Sequence, residues 1–148
     1  MALKMPDVSI VIPFFNEGRN VDLIYDSLTH SFAGKSINYE LIMVNNGSSD
    51  DTGQFISKIR KKDRRVKCVN VLHNRGYGFG ILSGLHSAKG SYIGYVDGDD
   101  TQCSSAVPLI YEHALRNNCD ICKGIRQTRE DNVQRRIASN IYNLVLQK

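Results

Sequence analysis

Three observations predict an α/β fold, a mostly parallel sheet with helices on both faces. Short apolar runs rich in β-branched residues alternate along the chain with segments whose apolar residues fall three or four apart. The first runs are apolar without a polar alternation, as strands buried on both faces require. The length of 148 residues suits one domain with one core.

Val8-Ser-Ile-Val-Ile12 is the first strand, closed by Pro13, which donates no ladder hydrogen bond. After Asn16-Glu-Gly-Arg19, the spacing of Val21, Ile24, Leu28 and Phe32 predicts a helix as far as the Gly34 region. Tyr39 to Val44 reads as the second strand, and Asn45-Asn-Gly-Ser-Ser-Asp50 supplies turn and cap chemistry for a helix carrying Phe55, Ile56 and Ile59. The cationic run from Lys58 to Arg65 falls at the end of that helix, where the dipole favours positive charge, and reads as a solvated face. Val66 to Leu72 is the third strand, His73 to Gly80 a glycine-rich loop, and Ile81 to Lys89 a helix stopped by Gly90. Tyr92 to Val96 is the fourth strand, Ala106 to Leu115 a helix and Asp120 to Ile125 a fifth strand. Val133, Ile137, Ile141, Leu144 and Val145 form the stripe of an amphipathic helix over 132–148.

Composition excludes several classes. Hydrophobic residues at 41% and charged residues at 23% are ordinary globular usage, not that of a disordered or fibrous chain. A net charge of +4 suits a phosphate-bearing ligand or an anionic membrane face and does not call for nucleic acid. No apolar run reaches the roughly 18 to 20 residues of a membrane span, and Met1-Ala-Leu-Lys-Met-Pro-Asp7 lacks the apolar core of a signal peptide. The expected location is therefore cytoplasmic. Among Cys68, Cys103, Cys119 and Cys122 only the last two are closely spaced, so they read as buried or incidental thiols.

Ligands of open parallel sheets bind beyond the carboxyl ends of the strands. Those ends carry Pro13-Phe-Phe-Asn-Glu17, Asn45-Asn46, Asn74-Arg-Gly76 and Asp97-Gly-Asp-Asp100. Asp97 and Asp99 either hold a hard divalent ion, Mg²⁺ or Mn²⁺, or belong to a turn in which Asp100 or Thr101 caps the next helix. Gly76, Gly78, Gly80 and Gly84 follow the third strand and lack the acidic ribose partner of a dinucleotide fingerprint, so they read as a tight loop and a close helix contact. Turn propensity explains Asn45 and Asn46, although an Asn can also accept from a ring N–H and donate to a ring carbonyl.

Ser9-Ile-Val-Ile-Pro-Phe-Phe-Asn-Glu17, Leu41-Ile-Met-Val-Asn-Asn-Gly-Ser-Ser-Asp50, Asn74-Arg-Gly76 with Gly84 and Ala88-Lys-Gly90, and Tyr95-Val-Asp-Gly-Asp99 occur in that order. Together they resemble the nucleotide-sugar half of a family-two glycosyltransferase of the GT-A fold. The tail from Gly124 to Asp131, followed by Arg135-Arg136, narrows the resemblance to the polyprenyl-phosphate sugar transferases, the group of dolichyl-phosphate mannose synthase and undecaprenyl-phosphate glucosyltransferases. The resemblance implies that Pro13, Phe15 and Glu17 cradle base and ribose. It places Asn45 and Asn46 at the Asp pair that contacts the base, and Asp97-Gly98-Asp99 at the ribose and the metal-bound diphosphate. Arg126 corresponds to a basic residue near the phosphates, with Arg129 and Arg135 beside it for a lipid phosphate. The donor implied is a UDP- or GDP-sugar, the cofactor Mg²⁺ or Mn²⁺, and the acceptor a polyprenyl phosphate at the cytoplasmic membrane face.

Residues 1–148 then form a single domain that covers the donor-side part of the family's catalytic domain. Two other functions compete with this one: a non-catalytic nucleotide-sugar-binding module, and a transferase with a saccharide acceptor. The terminal helix either lies on an anionic membrane or packs on the fold. An exposed sheet edge would also allow a homo-oligomer.

Overall fold

The computed structural model describes residues 5–125. The elements in order are β1 (Val8–Phe14), α1 (Gly18–Phe32), β2 (Tyr39–Asn46), α2 (Thr52–Lys62), β3 (Val66–Val71), α3 (Tyr77–Leu85), β4 (Tyr92–Tyr95) and α4 (Thr101–Arg116). The four strands make one parallel sheet in the order β3-β2-β1-β4. The expected α/β class is therefore present, and the strand order reverses beside β1, which creates a crevice at the carboxyl ends of β1 and β4.

Side-chain alternation along the strands divides the core in two. Ile10, Ile12 and Phe14 of β1, with Leu41 and Met43 of β2, face α1 and α2 through Val21, Ile24, Leu28, Ile56 and Ile59, while Val107 and Tyr111 of α4 pack at the margin. On the opposite face Val11, Ile42 and Val44 meet Leu85 and Ala88 at the end of α3. That contact is close because Gly84 has no side chain: a Cβ there would lie 2.4 Å from Val11 Cγ1 and 2.9 Å from Val44 Cγ2. Close helix packing thus accounts for one of the glycines that invited a dinucleotide reading.

A polar staple closes the other end of the sheet. The Ser9 hydroxyl donates to Glu40 Oε1 at 2.7 Å, the Lys89 amide donates to the same oxygen at 2.8 Å, and Lys67 Nζ sits 2.7 Å from Glu40 Oε2. The Gly90 amide in turn donates to Ser9 Oγ at 2.7 Å, which ties the α3–β4 connection to β1 and β2.

Several boundaries differ from the sequence expectation. Pro13 does not end β1: it is paired in register with Val44. Val11 O accepts from Val96 N, so by alternation the Pro13 nitrogen also points towards β4, beyond the last β1–β4 pair, Val11 with Tyr95. No ladder donor is needed there. β2 runs two residues past Val44 because β3 continues beside it, pairing Asn70 with Asn45 and Val71 with Asn46. The glycine-rich segment is not a loop as far as Gly80, since α3 begins at Tyr77 and ends at Leu85. α4 begins at Thr101, not Ala106, because Asp100 caps it by accepting from the Cys103 amide at 3.0 Å. Residues 120–125 take no strand conformation: they form no ladder with any described strand, and an apolar run becomes a strand only when its backbone finds a partner. Cys119 and Cys122 therefore do not sit on a strand, and none of the four cysteines forms a disulfide.

Candidate functional site

An open cleft of about 480 Å³ lies where the strand order reverses. β1 and the turn after it supply Pro13, Phe15 and Glu17, and β2 supplies Asn46. Asn74 and Gly76 precede α3, whose first residue is Tyr77, and Asp97, Gly98 and Asp99 follow β4. Seven of the residues to which the family resemblance gives a role, Pro13, Phe15, Glu17, Asn46, Asp97, Gly98 and Asp99, therefore share one cavity.

The turn that carries Phe15 and Glu17 is held by the β2–α2 turn. Asn16 adopts a left-handed conformation, φ 55°, which Asn tolerates better than most side chains. Its amide donates to Ser48 Oγ at 3.1 Å, and its Oδ1 accepts from the Ser49 amide at 2.8 Å. The Glu17 amide donates to Thr52 Oγ1 at 3.0 Å and the Gly18 amide to Asp50 Oδ2 at 3.1 Å. Thr52 donates to Asp50 Oδ1 through both its hydroxyl and its amide, and these bonds, the hydroxyl's foremost, hold the Asp50 carboxyl below its ordinary range. Phe15, 47% exposed, is left as an aromatic surface at the cleft rim.

The two asparagines point to different places. Asn46 is 3% exposed and donates through Nδ2 to Gly76 O at 3.1 Å, and at 3.5 Å to Asn74 Oδ1. Its Oδ1 is buried and has no hydrogen-bond partner among the described residues. A Cβ on Gly80 would come within 2.9 Å of Asn46 Nδ2, so a second glycine of α3 makes room for this side chain. Asn45 does not line the cleft. Its Oδ1 accepts from the Ser48 amide at 3.2 Å and its Nδ2 donates towards Asn70 on β3 at 3.4 Å.

After β4 the acids divide their tasks. Asp100 is the helix cap, whereas Asp97 and Asp99 line the cleft, so capping and cleft-lining fall on different carboxylates of one turn. Gly98 allows this: a Cβ there would lie 2.6 Å from both Phe14 Cδ1 and Pro13 O. The Tyr77 hydroxyl donates to Asp97 Oδ1. Burial, then the neighbouring Asp97 carboxylate, raises the Tyr77 phenol far above its ordinary range, so it is a neutral donor.

Among the described residues no cluster of three or more His, Cys, Asp or Glu could hold a metal alone. Two carboxylates on one open cleft nevertheless suit a hard cation such as Mg²⁺ or Mn²⁺, which takes one or two carboxylates and completes its shell with water and phosphate oxygens. Arg126, Arg129, Arg135 and the helix expected over 132–148 lie outside the described residues. Asn74 and Gly76 were legible as a motif but not as site residues. Tyr77 carried no signal beyond its position in a glycine-rich segment at a strand end.

The model of the family described as Glycosyl transferase family 2 matches residues 9–146, and the chain belongs to that family. It is 32% identical over 143 residues to an undecaprenyl-phosphate 4-deoxy-4-formamido-L-arabinose transferase of Aeromonas hydrophila, covering 95% of this chain and 43% of that protein. The chain thus spans less than half the length of curated relatives it matches. Its fold resembles that of a Pyrobaculum calidifontis mannosyltransferase in complex with GDP-Man and Mn²⁺ (TM-score 0.57, 19% identity, 70% of this chain and 32% of that one). It also resembles that of Mycobacterium tuberculosis glucosyl-3-phosphoglycerate synthase with Mn²⁺, UDP and glucosyl-3-phosphoglycerate (TM-score 0.55, 24% identity, 74% and 39%). The GT-A fold expected from the motifs is therefore the fold present.

Proposed function

We propose that this chain carries the donor-binding half of a glycosyltransferase that moves a sugar from a UDP- or GDP-sugar to a polyprenyl phosphate at the cytoplasmic face of a membrane. The observation that carries the reading is the meeting of Phe15, Asn46, Asp97 and Asp99 on one cleft at the sheet's reversal point. Phe15 offers a face on which a base can stack, and Asn46 lines the same cleft. Glu17, whose Oε2 accepts from Asn20 Nδ2 at 2.5 Å, lines the same cleft and is the carboxylate proposed to take the ribose hydroxyls.

Asp97 and Asp99 would hold Mg²⁺ or Mn²⁺ against the diphosphate. When bound, the ion neutralises charge that develops on the leaving nucleoside diphosphate. The name of the Aeromonas relative supports the polyprenyl-phosphate acceptor, and Arg126, Arg129 and Arg135 supply cations suited to a phosphate. Among the described residues no helix is long and apolar enough to cross a membrane.

Calorimetric titration of the chain with UDP-glucose and GDP-mannose, with and without Mn²⁺, tests the donor site. The expected result is metal-dependent binding of one donor that Asp99→Asn weakens by at least about tenfold. Binding that is indifferent to Mn²⁺ and to that substitution would refute the assignment. Donor binding by the full-length enzyme, with transfer to a saccharide but not to polyprenyl phosphate, would reject the acceptor.

A further inference from the structure

We propose that Tyr77 is the positioning residue for Asp97, holding one carboxylate oxygen so that the other faces the divalent ion of the donor's diphosphate. The inference rests on the donor-site reading and adds a residue that neither the sequence motifs nor the family match assigns. The two groups come from separate elements: Asp97 follows the four-residue strand β4, and Tyr77 is the first residue of α3. The Tyr77 hydroxyl donates to Asp97 Oδ1.

The helix that carries the tyrosine packs closely on the sheet, with Tyr77 itself half exposed. Gly76, with φ +92°, turns the chain into α3, and its carbonyl accepts from the buried Asn46 amide at 3.1 Å. Gly80 and Gly84 seat the helix directly on Asn46, Pro13, Val11 and Val44. The ring then needs only two torsions to be fixed. Asp97, by contrast, begins a turn, and a carboxylate with two oxygens and about four lone-pair sites has several ways to meet a cation. A phenol donating to Oδ1 removes part of that freedom and leaves Oδ2 for coordination. Hydrogen-bonded partners of metal-ligating carboxylates typically contribute 10–100-fold to metal affinity.

The test is a thermodynamic cycle with Tyr77→Phe and Asp97→Asn, using UDP and GDP as probes, each with and without Mn²⁺. Tyr77→Phe keeps the ring and removes only the donor. The expected result is a Kd about tenfold weaker for the Mn²⁺ complex of the bound nucleotide and an unchanged Kd for the metal-free nucleotide, with no further loss in the Asp97→Asn background. A general disturbance of the cleft would weaken both forms and so overturns the proposal. Unchanged Mn²⁺-dependent binding overturns it as well, and tighter binding would make the phenol a competitor for the carboxylate. Wild-type chain that binds neither nucleotide in either condition removes the donor-site reading and this proposal with it. Mn²⁺-dependent binding lost in Asp97→Asn but intact in Tyr77→Phe removes this proposal alone.

Discussion

Replacing Gly84 by Ala tests the packing that seats α3 on the sheet. The new Cβ would stand 2.4 Å from Val11 Cγ1 and 2.9 Å from Val44 Cγ2, whereas relaxed carbon contacts lie at about 3.5–4.0 Å. Neither valine can yield easily, since both are fully buried on the two central strands. Overpacking of this kind costs about 1–3 kcal/mol, and the deeper overlap belongs at the upper end of that range. Alanine's better helix propensity returns at most about 1 kcal/mol. The net expectation is a loss of about 1–2 kcal/mol, which lowers the urea midpoint by about 0.5–1 M for a domain of this size. Gly78→Ala is the control. It lies in the same helix with no atom within 4 Å of its added Cβ, so it should be neutral or stabilising by up to about 1 kcal/mol. A Gly84→Ala protein at least as stable as wild type would refute the close contact, and so would equal shifts for the two variants.

Two further predictions address buried polar groups. Burial would raise the Glu40 carboxyl, but hydrogen bonds from Lys67, Ser9 and the Lys89 amide outweigh it and hold the group below its ordinary range. The folded state therefore releases this proton more readily than the unfolded chain. Its stabilisation is present above the unfolded value of about 4.3 and is lost as pH falls through the folded value. Glu40→Gln should cost about 1–3 kcal/mol at neutral pH, and its urea midpoint should change less than that of wild type between pH 6 and pH 3. Parallel pH profiles would contradict the assignment. Asn46→Asp places a carboxylate oxygen against Gly76 O, where Nδ2 now donates, and should destabilise the free protein by about 1–3 kcal/mol in thermal unfolding. An unchanged melting temperature would show that this corner is not built for an amide.

Much of the architecture was legible because local chemistry and burial agree. Val8 to Ile12 and Tyr39 to Val44 are buried on both faces, and Val21, Ile24, Leu28 and Phe32, spaced as a helix requires, all lie on the buried side of α1. The order of motifs at the strand ends likewise located the site, since a parallel sheet gathers those ends at one rim. Boundaries were less legible where a tertiary partner decided them. Pro13 continues a strand because its missing donor faces the side where β4 has ended, and 120–125 is no strand because no described strand pairs with it.

The amino-acid sequence by itself determined the α/β class, the family and the rim on which the chemistry gathers, because periodicity, turn residues and motif order are local properties of the chain. Tertiary structure alone decided the strand order β3-β2-β1-β4, which opens the crevice beside β1. It also turned Asn46 into the cleft and Asn45 away from it, and assigned capping to Asp100 while leaving Asp97 and Asp99 exposed to a ligand. Neighbouring side chains in a strand or turn differ in direction, and which direction meets the cavity depends on elements distant in the chain. The pairing of Tyr77 with Asp97 is the clearest instance: two residues on separate elements become partners only when glycines let α3 settle onto the sheet.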